Sequence, residues 1–198
     1  MTVLVPAQQH QQQSVAAQVP PGPSLRETLD WVTGALSAYG TVTRVTTGAN
    51  GWTISNTTQW LLASYESCQL TFTRTDNNVS DVVAGPVRVR SHVTVTLNLA
   101  DIDPSSVKLV PNEAGADKYA NWSASGYSVI LNTRNYQKAI SWKVASRENF
   151  TEGTAEGLEQ NAQQSEFRLD VSDDATGARL VKALSHAVDL CGGKKSAF

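Results

Sequence analysis

Between Ser24 and Leu36 the apolar residues Leu25, Leu29, Val32 and Leu36 recur every three or four positions. That spacing gathers them on one side of a helix. Ser24-Leu-Arg-Glu27 is a capping box, Pro23 precedes it and Gly40 follows as a stop, so the pattern predicts a helix over 24–38. From Thr41 the period changes to two. Val42 and Val45 lie in Thr-rich sequence, Gly48-Ala-Asn-Gly51 reads as a turn, and Trp52 and Ile54 alternate with polar residues. Trp60 to Leu62, then Cys68, Leu70 and Phe72, predict further strands, with Asp76-Asn-Asn78 as the next turn.

The longest alternation runs from Val87 to Leu99. Val87, Val89, Val93, Val95, Leu97 and Leu99 take one face, and Arg88, Arg90, His92, Thr94, Thr96 and Asn98 take the other. A pattern of this length implies a sheet with one wet face. Asp101 to Ser106 reads as a turn, Val107 to Val110 as a short strand and Pro111 to Asp117 as a loop. Tyr127, Val129 and Leu131 continue the sheet, followed by Ile140, Trp142 and Val144. Residues 148–164 hold several Glu and few apolar groups and read as an acidic loop. Phe167, Leu169 and Val171 predict a last strand. Ser172-Asp-Asp174 then caps a final helix whose stripe is Leu180, Leu184, Ala187, Val188 and Cys191, ended by Gly192-Gly193.

Helix, seven to nine strands joined by short connections, then helix: this order predicts an α+β domain with a curved antiparallel sheet closed by a C-terminal amphipathic helix. The domain spans 24–192, between a leader at 1–22 and a tail at 193–198. Met1 to Ala7 looks like the end of a signal peptide, and the Gln-rich run after it offers no core. Only 17% of residues are charged, and Ser, Thr, Asn and Gln fill the polar surface, a composition frequent in exported proteins. The expected compartment is periplasmic or extracellular, with the cytoplasm as the alternative. A net charge of -2 without a basic stripe argues against nucleic acid, and no apolar run reaches the length of a membrane span.

The second half, on Val95 to Asp103, Tyr127 to Thr133 and Phe167 to Val171 running into the helix at 175–191, resembles the pleckstrin-homology-like superfold. The whole chain also resembles an exported bacterial domain. The first resemblance implies a binding module and supplies no chemistry.

The residues themselves offer little catalysis. The histidines are His10, His92 and His186, with no two at ligand spacing, and the two cysteines form no CxxC pair, so neither a metal site nor a cofactor is predicted. No GxSxG elbow and no phosphate-cradling glycine loop occurs. Two features remain for binding. Arg88, Arg90 and His92 form a basic ladder on the wet face of their strand, suited to an acidic ligand. Trp122, in a stretch read as loop, is an aromatic available for contact, while Trp31, Trp52, Trp60 and Trp142 fit core positions. Cys68 and Cys191 both point inward and form the expected disulfide if the protein is exported. The reading is a non-enzymatic binding domain for a protein or a small acidic ligand. Its rivals are a carbohydrate-binding module and an enzyme of another type.

Overall fold

The computed structural model describes residues 22–82, 85–116, 120–151, 154–156 and 160–193. Apart from Gly22, the leader read over 1–22 lies outside them, and so does the tail beyond Gly193. The first helix, α1, is Leu25–Tyr39. Its capping box forms as expected. The Glu27 amide donates to Ser24 Oγ at 3.3 Å, and the Ser24 amide donates to the Glu27 carboxylate at 2.8 Å. These bonds from Ser24, side chain first, hold the Glu27 carboxyl below its ordinary range.

Twelve strands follow among the described residues: β1 (Thr41–Gly48), β2 (Thr53–Glu66), β3 (Gln69–Val82), β4 (Gly85–Asn98), β5 (Lys108–Pro111), β6 (Gly115–Ala116), β7 (Ala120–Ala124), β8 (Tyr127–Asn132), β9 (Ile140–Asn149), β10 (Thr154–Glu156), β11 (Gln160–Gln164) and β12 (Glu166–Val171). The closing helix α2 is Asp174–Leu190, capped by Asp173, whose carboxylate accepts from the Thr176 amide at 2.7 Å.

The strands form a nine-stranded and a three-stranded sheet, antiparallel throughout. The first has the order β10-β9-β4-β3-β2-β1-β7-β6, with β11 also on β9; the second is β12-β8-β5. Two bent strands join the sheets. β7 pairs with β1 in the large sheet, and after Ser125 and Gly126 the chain re-enters the small sheet as β8. β11 pairs with β9, and after Ser165 it continues as β12. The pairing thus runs in a closed circuit. The corner at Gly126 requires glycine: its φ is +80°, and a Cβ there would stand 2.2 Å from the Val171 carbonyl oxygen.

Three readings are corrected here. Asp76-Asn-Asn78 is no turn but the middle of β3, paired with β2 on one side and β4 on the other. The chain reverses instead at Ser67-Cys68, where Ser67 has φ +52°. Residues 148–164 are not simply a loop: β9 extends to Asn149, and β10 and β11 return along its free edge. β11 is exposed at every position, so no apolar alternation marks it in the sequence. Trp122 lies within β7, opposite Thr46 of β1, and not in a loop.

Cross-strand rows on the inner face of the large sheet explain how the molecule is partitioned. Leu62–Phe72–Val95–Trp142 is apolar, and so are Leu70–Leu97 beyond it. This half lies under Leu29, Val32 and Leu36 of α1, Leu180, Leu184 and Val188 of α2, and Phe167 and Leu169 of β12, all fully buried. The next row, Trp60–Arg74–Val93–Val144, is mixed. After it come Val42–Thr58–Asp76–Ser91 and Arg44–Asn56–Asn78–Val89. From the Leu62–Phe72 row onward β1 to β4 keep their registers while the face changes from dry to wet, and β9 shifts by one residue opposite His92 and Val93.

A disulfide joins the two ends of the core. Cys68, in the β2–β3 turn, is bonded to Cys191 at the C-cap of α2, with Cα atoms 5.7 Å apart and a sequence separation of 123. Each cysteine sits one step outside the element expected for it: Cys68 precedes β3 and Cys191 follows α2. Beyond Cys191, the Gly192 and Gly193 amides donate to the Asp189 and Val188 carbonyls and end the helix. A loop of this length, closed covalently, stabilises by roughly 2–4 kcal/mol. Cys191→Ser should lower the denaturant midpoint accordingly, and reduction of the native protein should reproduce the shift. An unchanged midpoint in both experiments would contradict the stapling role.

Candidate functional site

The wet half of the inner face does not lie open as a flat sheet. The small sheet stands beside it, because the bent strands give that sheet two unlike faces. Odd positions of β12 and β8 (Phe167, Leu169, Val129, Leu131) enter the core, whereas even positions (Glu166, Arg168, Asp170, Ser128, Ile130) line a groove of about 1100 Å³. Arg44, Trp60, Arg74 and Trp142 of the large sheet form its floor; Lys108, Asn112, Glu113 and Trp122 complete the rim. A second hollow of about 430 Å³ shares Arg44, Arg74, Asn112 and Asp170 with the groove and extends it over Asn56, Thr58, Asp76 and Ser91.

Arg74 stands at the boundary between core and groove. Its Nε donates to Asp76 Oδ2 at 2.8 Å, Nη2 forms an ion pair with the same oxygen at 2.8 Å, and Thr58 donates to the other carboxylate oxygen at 2.7 Å. Asp76 is therefore buried and fully engaged, while about a third of the Arg74 side chain reaches solvent. The guanidinium carbon lies 5.6 Å from the ring centroids of both Trp60 and Trp142, a cation–π contact with each. The two indoles meet edge to face at 83°, and Phe167 packs edge-on against Trp60. Both indole N–H groups are buried and have no hydrogen-bond acceptor.

The wall is also ordered. Arg168 donates to Glu166 at 2.7 Å, and Ser128 Oγ lies 2.6 Å from oxygens of both Asp170 and Asn112. Trp122 is held at the rim by a close approach to Gly115 of β6, where a Cβ would come within 2.5 Å of the ring. Arg44 and Lys108 form no ion pair among the described residues. Counted together, Arg44, Arg74, Lys108 and Arg168 balance Asp76, Glu113, Glu166 and Asp170, so the groove carries both signs without a net field.

The residues expected from the sequence divide between two surfaces. Trp122 lies in the groove. Arg88, Arg90 and His92 do not: they follow the opposite parity of β4 and project from the outer face. There Arg90 donates to Asn77 at 2.9 Å and lies 5.0 Å from the exposed Phe150 ring, and His92 Nδ1 is 3.2 Å from Thr75 Oγ1. His186 lies elsewhere again, with Nε2 2.8 Å from the Pro23 carbonyl. Trp60, Arg74, Asp76 and Trp142 are among the site residues that the sequence does not single out for binding. The signal for Arg74 and Asp76 was the even-numbered run Leu70, Phe72, Arg74, Asp76, which turns polar while Thr71, Thr73 and Thr75 keep the alternation intact.

No family model, no curated protein and no solved structure matches this chain, so the groove's own residues carry the functional reading. Their central pair is directly testable. Asp76→Ala leaves Arg74 without its orienting carboxylate against an aromatic wall and should destabilise by about 1–3 kcal/mol. It should also quench or shift the tryptophan fluorescence, since the guanidinium contacts two indoles. A variant with wild-type stability and an unaltered emission spectrum would mean that the pair is not formed.

Proposed function

We propose that this protein is a non-enzymatic binding domain whose ligand lies in the groove between the large sheet and the outer face of the small one. The observation that carries this reading is a sizeable groove whose lining includes Arg74, Trp60 and Trp142, the two indoles keeping their buried N–H groups without an acceptor. Buried donors are almost always satisfied, and a bound ligand is one way to satisfy them. Binding is favoured over catalysis by the way the groove's polar groups engage one another. Asp76 is held by Arg74 and Thr58, Glu166 by Arg168, and neither His92 nor His186 lines the groove. A sugar platform is disfavoured because Trp60 stands nearly perpendicular to Trp142, so the two rings present no common flat face.

The disulfide supports export, since such bonds persist in oxidising compartments. No helix among the described residues is long and apolar enough to cross a membrane. The antiparallel strands β8 and β12, leading into α2, support the pleckstrin-homology-like reading of the second half, with α1 as an addition to it.

Location is what the test must read. Two-dimensional NMR of the oxidised protein, titrated separately with succinate, inorganic phosphate and maltose, should give saturable shifts for at least one probe at Arg44, Thr58, Trp122 and Trp142. Shifts confined to the outer face around Arg90 and Phe150, or none with any probe, would overturn the groove as the site.

A further inference from the structure

We infer that the groove floor formed by Arg74, Trp60 and Trp142 recognises a carboxylate; this rests on the groove being the ligand site. Three donor groups meet there. An indole N–H can only donate, and each of these two is buried without an acceptor. Arg74 has five N–H bonds. The one on Nε donates to an oxygen of Asp76 against which Nη2 also lies, which leaves the far side of the fork available on a side chain that reaches the groove. The guanidinium carbon is 5.6 Å from each indole centroid, so Arg74 and the two indoles form one cluster at the groove floor, and a ligand oxygen meets the buried N–H groups as the indoles shift.

The complement of a donor-only floor is a group that only accepts. A carboxylate offers two oxygens in a plane, the geometry that an arginine fork matches best. Charge narrows the choice further. Asp76 already neutralises Arg74, and the groove as a whole holds equal numbers of acidic and basic side chains, which suits a monoanion and gives no excess field for a phosphate dianion. Arg44 and Lys108, without ion-pair partners among the described residues, supply the remaining attraction from the rim. Opposite the floor, the wall carboxylates of Glu166 and Asp170 accept from hydroxyl or ammonium groups on the rest of the ligand. The ligand so described is a carboxylic acid with donor groups a few bonds away: a hydroxy or amino acid, or the C-terminus of a peptide.

The test follows the indole N–H signals of Trp60 and Trp142, assigned with Trp142→Phe, in the oxidised full chain. Acetate, succinate and a short glutamyl peptide are titrated beside inorganic phosphate and maltose. The carboxylates should shift both indole signals saturably. A response to the peptide that exceeds the response to succinate would identify a chain terminus as the source, and the reverse order a free acid. Arg74→Lys, which keeps the charge but loses the fork, should weaken carboxylate binding by about tenfold or more, the loss expected for a charge-assisted bidentate contact. Arg74→Gln, checked for an unchanged melting temperature, serves if the lysine variant is unstable. Binding of phosphate or maltose in the groove without carboxylate binding would overturn this inference and leave the groove as the ligand site. Carboxylate binding that is indifferent to both Arg74 variants would also overturn it. Silence with every probe would overturn both readings.

Discussion

An arginine at the edge of an apolar core has to be neutralised, oriented and kept in touch with water at once. Arg74 meets these demands through Asp76, the two flanking indoles and the groove. The rest of the architecture depends on that contact because it marks where one continuous sheet face changes solvent. Strands of fourteen residues extend for about 46 Å, whereas α1 with fifteen residues is only about 22 Å long. Two helices cannot cover such a face. The rows that they cover are apolar, the rows beyond are polar, and Trp60–Arg74–Val93–Val144 is the seam.

The small sheet makes the polar half a groove and not simply a wet surface. It exists as a separate sheet because two strands change partners midway, at Ser125-Gly126 and at Ser165. Its core face completes the burial of the helices, and its other face supplies the groove's wall. At the far end of the molecule, the disulfide ties the C-cap of the closing helix to the β2–β3 turn of the large sheet. The rigid, covalently stapled end is thus remote in character from the polar end, and the proposed ligand contacts sit on strands, not on loops. Side chains fixed on strands hold their geometry better than loop residues, which favours a preorganised site.

Much of the fold was legible where one face of an element is buried along its whole length. Leu29, Val32 and Leu36, or Leu180, Leu184 and Val188, announce their helices because water is excluded from the entire stripe. β4 reads just as clearly, since its valines and leucines stay on one face from Val87 to Leu97. β3 does not. Its inner face carries Leu70 and Phe72, then Arg74, Asp76 and Asn78, so a polar run in mid-strand imitates a turn. β11 is invisible for a related reason: an edge strand exposed on both faces has no hydrophobic pattern to show. The cysteines were readable through parity and stripe position, though each lies just outside its expected element. The basic ladder of Arg88, Arg90 and His92 was correctly placed on a wet face, but the groove formed on the opposite one. Only Trp122 of the expected ligand residues lines it, and sequence spacing cannot reveal that a second sheet stands over half of the first.

The central claim, that the inner face is dry on one side of Arg74 and wet on the other, can be measured without knowing the ligand. Paramagnetic relaxation by a neutral gadolinium chelate in the solvent reports how closely water-borne probes approach each methyl group. The account predicts strong relaxation at the Thr58 and Val110 methyls beside the groove, and near-complete protection at Leu62, Val95 and Leu97 on the same sheet face. Equal protection of Thr58 and Leu62 would show that the groove is closed to solvent and would contradict the account.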